Sequence, residues 1–116
     1  MFDFQKLEVY AKAKTFNSSV QKLLQSITHV NSSNKNQLQR AAFSIMLNIA
    51  EGSGRFTKPD KKNFYVIARG STFECVAILD FWKDENIISE DQFSKLYCAS
   101  EELSKMLFAL IKKLGS

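Results

Sequence analysis

The side chains with most scope for chemistry stand in the run Arg40-Ala-Ala-Phe-Ser44-Ile-Met-Leu-Asn48-Ile-Ala-Glu51-Gly52-Ser-Gly-Arg55. At ~100° per residue, Arg40, Ser44, Asn48 and Glu51 share a helical arc about 80° wide, with Arg55 in line if the helix continued. Further on, Arg69-Gly70-Ser71 and Glu74 place a hydroxyl and a carboxylate on or beside an apolar face. A serine with a glutamate invites comparison with a hydrolase, but no base stands in sequence to activate either. The one histidine, His29, falls at a helix end, and no Cys/His/Asp cluster has metal spacing. The residues therefore predict no catalytic group, no metal site, no cofactor and no small-molecule substrate. A carboxylate on a buried face has to be paired or hydrogen-bonded. Ser44, Asn48, Glu51, Ser71 and Glu74 are accordingly expected to form a polar network that fixes helix register.

The turn Gly52-Ser53-Gly54-Arg55 could offer backbone N–H groups to a phosphate, yet it lacks the strand and the lysine of a P-loop. With Lys58, Lys61 and Lys62 behind it and Arg40 ahead, it suits a nucleic-acid backbone better. An ordinary solvated loop rich in lysine remains the competing reading. The net charge of +4 leans the same way. Residues 1–55 carry seven Lys/Arg and three Asp/Glu, while residues 56–116 carry nine of each. The whole excess lies in the first half, which points an anionic partner, RNA or DNA, to that side.

Four helices must position these groups. One proline and four glycines in 116 residues permit long helices and disfavour a turn-rich sandwich. A first helix, capped by Asp3, runs to about Ile27 on the seam Val9, Ala13, Phe16, Val20, Leu23 and Ile27. His29–Asn34 reads as a loop. A second helix spans about Lys35 to Glu51 with Leu38, Ala42, Ile45 and Ile49 inward, ended by the glycine turn. The third starts near Pro59 and runs to about Asp84, with Phe64, Ile67, Ser71, Cys75, Ile78 and Trp82 on one face. Ser89 and Gln92 form a capping box before a fourth that carries Phe93, Leu96, Leu103, Leu107, Leu110 and Leu114 and reaches Lys112-Lys113. Short loops predict an all-α, antiparallel up-down four-helix bundle in one domain, 1–116. No apolar run approaches the ~20 residues of a membrane span and no signal peptide is visible, so a cytoplasmic protein with Cys75 and Cys98 reduced and buried is expected.

A lone bundle should be polar outside its seams. Here Phe4, Leu7 and Tyr10 lie opposite the first seam, Phe43 and Leu47 beside the second, Phe73 opposite the third, and Phe108 among charges on the fourth. Contiguous aromatic patches mark interfaces, so these residues are the expected surface for self-association or for a protein partner. Tilted helices that bury wider arcs are the alternative.

Three stretches carry a family resemblance: Asp3-Phe4-Gln5-Lys6-Leu7-Glu8-Val9-Tyr10, then Arg40-Ala41-Ala42-Phe43-Ser44-Ile45 through Asn48-Ile49-Ala50-Glu51-Gly52 and Arg55, and Ile67-Ala68-Arg69-Gly70-Ser71 with Glu74. Over nearly its whole length the chain resembles the 23S rRNA intervening sequence proteins, a bacterial family of four-helix bundles sometimes labelled ribosomal-protein-like. The resemblance implies a ring of five subunits and no enzymatic activity. It also implies likeness to the accessory protein of diversity-generating retroelements, a basic pentamer that works with a reverse transcriptase and RNA. The basic excess here is smaller than such a role suggests. A protein-binding accessory subunit without nucleic-acid contact therefore stands as the alternative function.

Overall fold

Apolar residues spaced alternately by three and four make helices wherever a cap lets one start. In the computed structural model, which describes residues 1–115, these are α1 (Glu8–Ser26), α2 (Ser32–Ser53), α3 (Lys58–Asp84) and α4 (Glu90–Lys113), after a 3₁₀ turn at Asp3–Lys6. Together they form an all-α four-helix bundle measuring 44 × 24 × 21 Å, with no strand among the described residues.

Side-chain oxygens begin three of the helices. Asn31 accepts from the Asn34 N–H at 2.9 Å and Thr57 from the Asp60 N–H at 3.2 Å. At α4 the Ser89 hydroxyl accepts from Gln92 N–H while Gln92 accepts from Ser89 N–H, the expected capping box. Helix α3 stops at Asn86, whose φ of 60° occupies the left-handed region usually left to glycine. There the Ile87 N–H reaches the Trp82 carbonyl at 2.8 Å and the Asn86 N–H reaches Lys83 at 3.0 Å, which satisfies two terminal acceptors. Lysine ammonium groups serve two other ends: Lys35 donates to the Ile27 carbonyl after α1, and Lys61 to Ser53 at the end of α2.

The seams of α1 and α2 are buried as read, and Leu38, Ala42, Ile45 and Ile49 are wholly enclosed. Helix α3 is rotated from its expected face. Tyr65, Ala68, Thr72, Cys75, Leu79 and Trp82 line the core, while Ile67 is exposed and Phe64, Ser71 and Ile78 sit at its margin. Two apolar stripes overlap on this helix, and the inward one takes the small residues that let its neighbours approach. Ser71 meets Ser44 and Tyr65 meets Gly52, so α2 and α3 run antiparallel. Arg69 with Ser104 and Lys62 with Gly115 show the same for α3 and α4. Helix α1 packs against α2 and α4, which closes the bundle.

Further expectations are corrected. Asp3 does not cap α1, because the 3₁₀ turn ends at an extended Leu7 and α1 starts beyond it. That turn folds onto α2, leaving Phe4, Leu7 and Tyr10 half-buried; Leu7 and Tyr10 pack on the core and Phe4 meets Tyr10 edge-on at 4.8 Å. Helix α2 begins at Ser32, three residues early, because Asn31 is its cap. Cys75 is enclosed, but Cys98 is exposed on α4.

Candidate nucleic-acid interface

The turn between α2 and α3 closes on itself through short-range contacts that place its cations. Arg55 pairs with Glu51, one turn earlier, at 3.2 Å, and its guanidinium lies 4.4 Å from the centre of the Phe64 ring. Lys61 gives its ammonium to the Ser53 carbonyl at 2.8 Å. Lys62 reaches across to the Gly115 carbonyl at 3.5 Å, which brings the end of α4, with Lys112 and Lys113, beside the start of α3. Lys58 is exposed and makes no ion pair among the described residues.

The bundle is thus polarised along its length. One end gathers Arg55, Lys58, Lys61, Lys62, Lys112 and Lys113, which outnumber the carboxylates Asp3, Glu51 and Asp60 beside them. At the other lie Asp80, Asp84, Glu85, Glu90 and Asp91, together with Lys83, which pairs with Asp80 at 3.4 Å and Asp84 at 3.8 Å. Of the five cations expected to act together, Arg55, Lys58, Lys61 and Lys62 share this basic end. Arg40 does not. It is exposed near the start of α2 and, with Gln21, Asn36, Gln39 and Phe43, lines a separate hollow between α1 and α2. Lys112 and Lys113 were legible only as charges suited to a helix C-terminus, because their place beside Lys62 depends on the antiparallel return of α4.

The polar network is smaller than expected. Asn48 donates to the Ser44 carbonyl at 2.8 Å and to its hydroxyl at 2.9 Å, and the Ser71 hydroxyl bonds to that of Ser44 at 3.0 Å, tying α3 to α2. Glu51 belongs to the exposed Arg55 pair instead, and Glu74 is exposed without a hydrogen bond or ion pair among the described residues. The rotation of α3 carries Glu74 out to water, so it needs no partner. Around the Ser44 hydroxyl lie another hydroxyl and an amide, neither of them a base. His29 is exposed in the α1–α2 loop. Among the described residues no group of three His, Cys, Asp or Glu could hold a metal ion, and no helix is long and apolar enough to cross a membrane. Burial, and secondarily the charge of Glu74, pushes the Cys75 thiol up to about 12, and burial raises the Tyr65 phenol.

An apolar face runs along α3. Val66, Ile67 and Phe73 are exposed on it, and Phe108 of α4 joins them through Arg69; Phe43 and Leu47 are exposed on α2, Phe43 beside the α1–α2 hollow. At its α4 edge the Arg69 guanidinium lies between Phe73 and Phe108, 4.9 and 5.3 Å from the ring centres, with its Nε donating to the Ser104 carbonyl at 3.3 Å. Sequence reasoning found the two rings but not the arginine between them, a link from α3 to α4 that spacing within one helix does not reveal.

A family model described as 23S rRNA-intervening sequence protein matches residues 5–109. The fold is similar to that of a protein of unknown function from the S23 ribosomal protein family of Bacteroides thetaiotaomicron, known from its crystal structure. The two share 24% identity over 90% of this chain and 98% of the other, with a TM-score of 0.81. No curated protein matches the chain.

Proposed function

The chain belongs to the 23S rRNA-intervening sequence protein family, and from that premise we propose that it is a non-catalytic, homo-oligomeric bundle of the cytoplasm that binds RNA or DNA as a scaffolding module. The observation that carries this reading is the charge separation: six cations from one turn and two helices gather at one end, remote from the acidic end. Such an end neutralises phosphates and releases their counterions, so affinity should fall steeply with salt. The absence of a base beside Ser44 supports a binding role over a hydrolytic one.

Fluorescence anisotropy with a labelled RNA across a salt series tests the proposal. Lys58→Ala and Lys112→Ala should each reduce the slope of log affinity against log salt by roughly 0.7–0.9. Undetectable binding at low salt, with the assembly intact, would remove nucleic acid from the reading. The second reading, a protein-binding accessory subunit, is favoured by the Phe73–Arg69–Phe108 cluster, since arginine and aromatic residues dominate protein interfaces. Phe73→Asp or Phe108→Asp should abolish self-assembly or partner capture while leaving the helical signal intact. Leu7 is unsuited to this test because it packs on the core.

A further inference from the structure

Phe56 is the most exposed large apolar side chain among the described residues, held entirely in water between Arg55 and Lys58 at the basic end. Packing does not account for it. Phe2 stacks on Phe4, and Phe73 and Phe108 flank Arg69, whereas the Phe56 ring meets no other ring and no cation among the described residues. Beside it lies a hollow of about 500 Å³, roomy enough for a nucleobase, whose lining residues include Phe2, Phe4, Asp3, Glu51, Arg55 and Asp60.

We propose that the basic end takes single-stranded nucleic acid, with an unpaired base stacked on Phe56 and the flanking phosphates on the neighbouring lysines. The proposal rests on the nucleic-acid reading above and narrows its ligand class. A free ring with Arg55 and Lys58 close to it in the chain offers what an unpaired base needs, since every base has a π face and its backbone requires counter-charge. A duplex buries those faces within its own stack and gains only the charge term. Glu51 is tied to Arg55, so Asp3 and Asp60 remain as acceptors in the hollow, suited to bases that present an exocyclic amine.

The test compares an unstructured RNA oligonucleotide with the same strand annealed to its complement, both labelled and at low salt, against the full-length chain and its Phe56→Ala and Phe56→Trp variants. The ring has no packing partner, so neither change should disturb the fold. Wild type should bind the single strand more tightly than the duplex. Phe56→Ala should weaken single-strand binding by roughly 5- to 100-fold and leave duplex affinity and salt dependence unchanged. Phe56→Trp should retain binding, and the strand should quench its exposed indole. Stacking is overturned if Phe56→Ala binds the single strand as wild type does, or weakens both forms equally; the broader nucleic-acid reading survives either result. Failure of wild type to bind either form overturns both.

Discussion

Two glycines in adjacent helices should answer the same substitution with opposite signs. A Cβ built on Gly52, in the last turn of α2, would lie 2.9 Å from Tyr65 Cε1 and 3.0 Å from Phe64 Cβ. The phenol is buried and the Phe64 Cβ moves only with the α3 backbone, so neither can yield cheaply. A Cβ on Gly70, midway along α3, meets nothing within 4 Å. Replacing glycine by alanine within a helix gains about 1 kcal/mol from reduced freedom of the unfolded chain, less near a helix end. Overpacking at a close contact costs about 1–3 kcal/mol. Gly70→Ala should therefore stabilise by about 1 kcal/mol. Gly52→Ala should destabilise by about 1–2 kcal/mol once its smaller gain is subtracted. At about 4 °C per kcal/mol the melting temperatures should part by roughly 8–12 °C, in opposite directions from wild type. Thermal and denaturant melts at fixed protein concentration read this directly. If Gly52→Ala melted at or above wild type, the close approach of α2 to α3 at Tyr65 would be wrong, and with it the register set there.

The two cysteines should behave as opposites. Native protein should expose one thiol to a disulfide reagent, that of Cys98, with Cys75 reacting only on unfolding. Because the Cys75 thiol ionises near 9 when unfolded and near 12 when folded, its stabilising contribution is complete below pH 9 and is lost as pH rises towards 12. That contribution is on the order of 4 kcal/mol, Tyr65 adds in the same sense, and Cys75→Ala should flatten the alkaline loss of stability. A variant that loses stability as steeply as wild type between pH 9 and 11 would contradict this. On α1, the Asn17 Oδ1 is buried without a hydrogen-bond partner among the described residues. Asn17→Leu, which removes an acceptor that costs about 1–3 kcal/mol when unmet, should raise the melting temperature. A fall of several degrees would mean that the amide is satisfied.

How far such details can be read from sequence depends on whether one helix or several determine them. The inward stripe of α2 was legible beside the apolar pair Phe43 and Leu47 because Leu38, Ala42, Ile45 and Ile49 recur at intervals of four, three and four along the helix, whereas that pair spans a single turn, and all four are enclosed. On α3 the rival stripe of Phe64, Ile67 and Ile78 is at least as hydrophobic as the true one. Hydropathy alone could not choose, because the choice is made by the space between α2 and α4. Glu74 was misplaced by the same rotation. Ser44 and Asn48 are four residues apart on one helix and so were legible as a pair. The basic end was half legible: Arg55 to Lys62 are local, while Lys112 and Lys113 arrive only through the return of α4.

The two exposed features constrain each other through symmetry. The apolar face of α3 runs along the bundle, whereas the charges separate between its ends. A two-fold axis lying across the bundles would set neighbours antiparallel and place the basic end of one beside the acidic end of the other, cancelling much of the field. A closed ring of more than two subunits repeats one orientation, so every basic end comes to the same height on one circle. A strand that engages two such ends binds the second at the effective concentration set by the first. Its salt dependence should then exceed that of a single bundle by the added phosphate contacts. Phe73→Asp, if it yields a folded monomer, isolates that contribution. Its salt slope should be shallower than that of the assembly even though every lysine remains, and equal slopes would mean that assembly and nucleic-acid binding are unconnected.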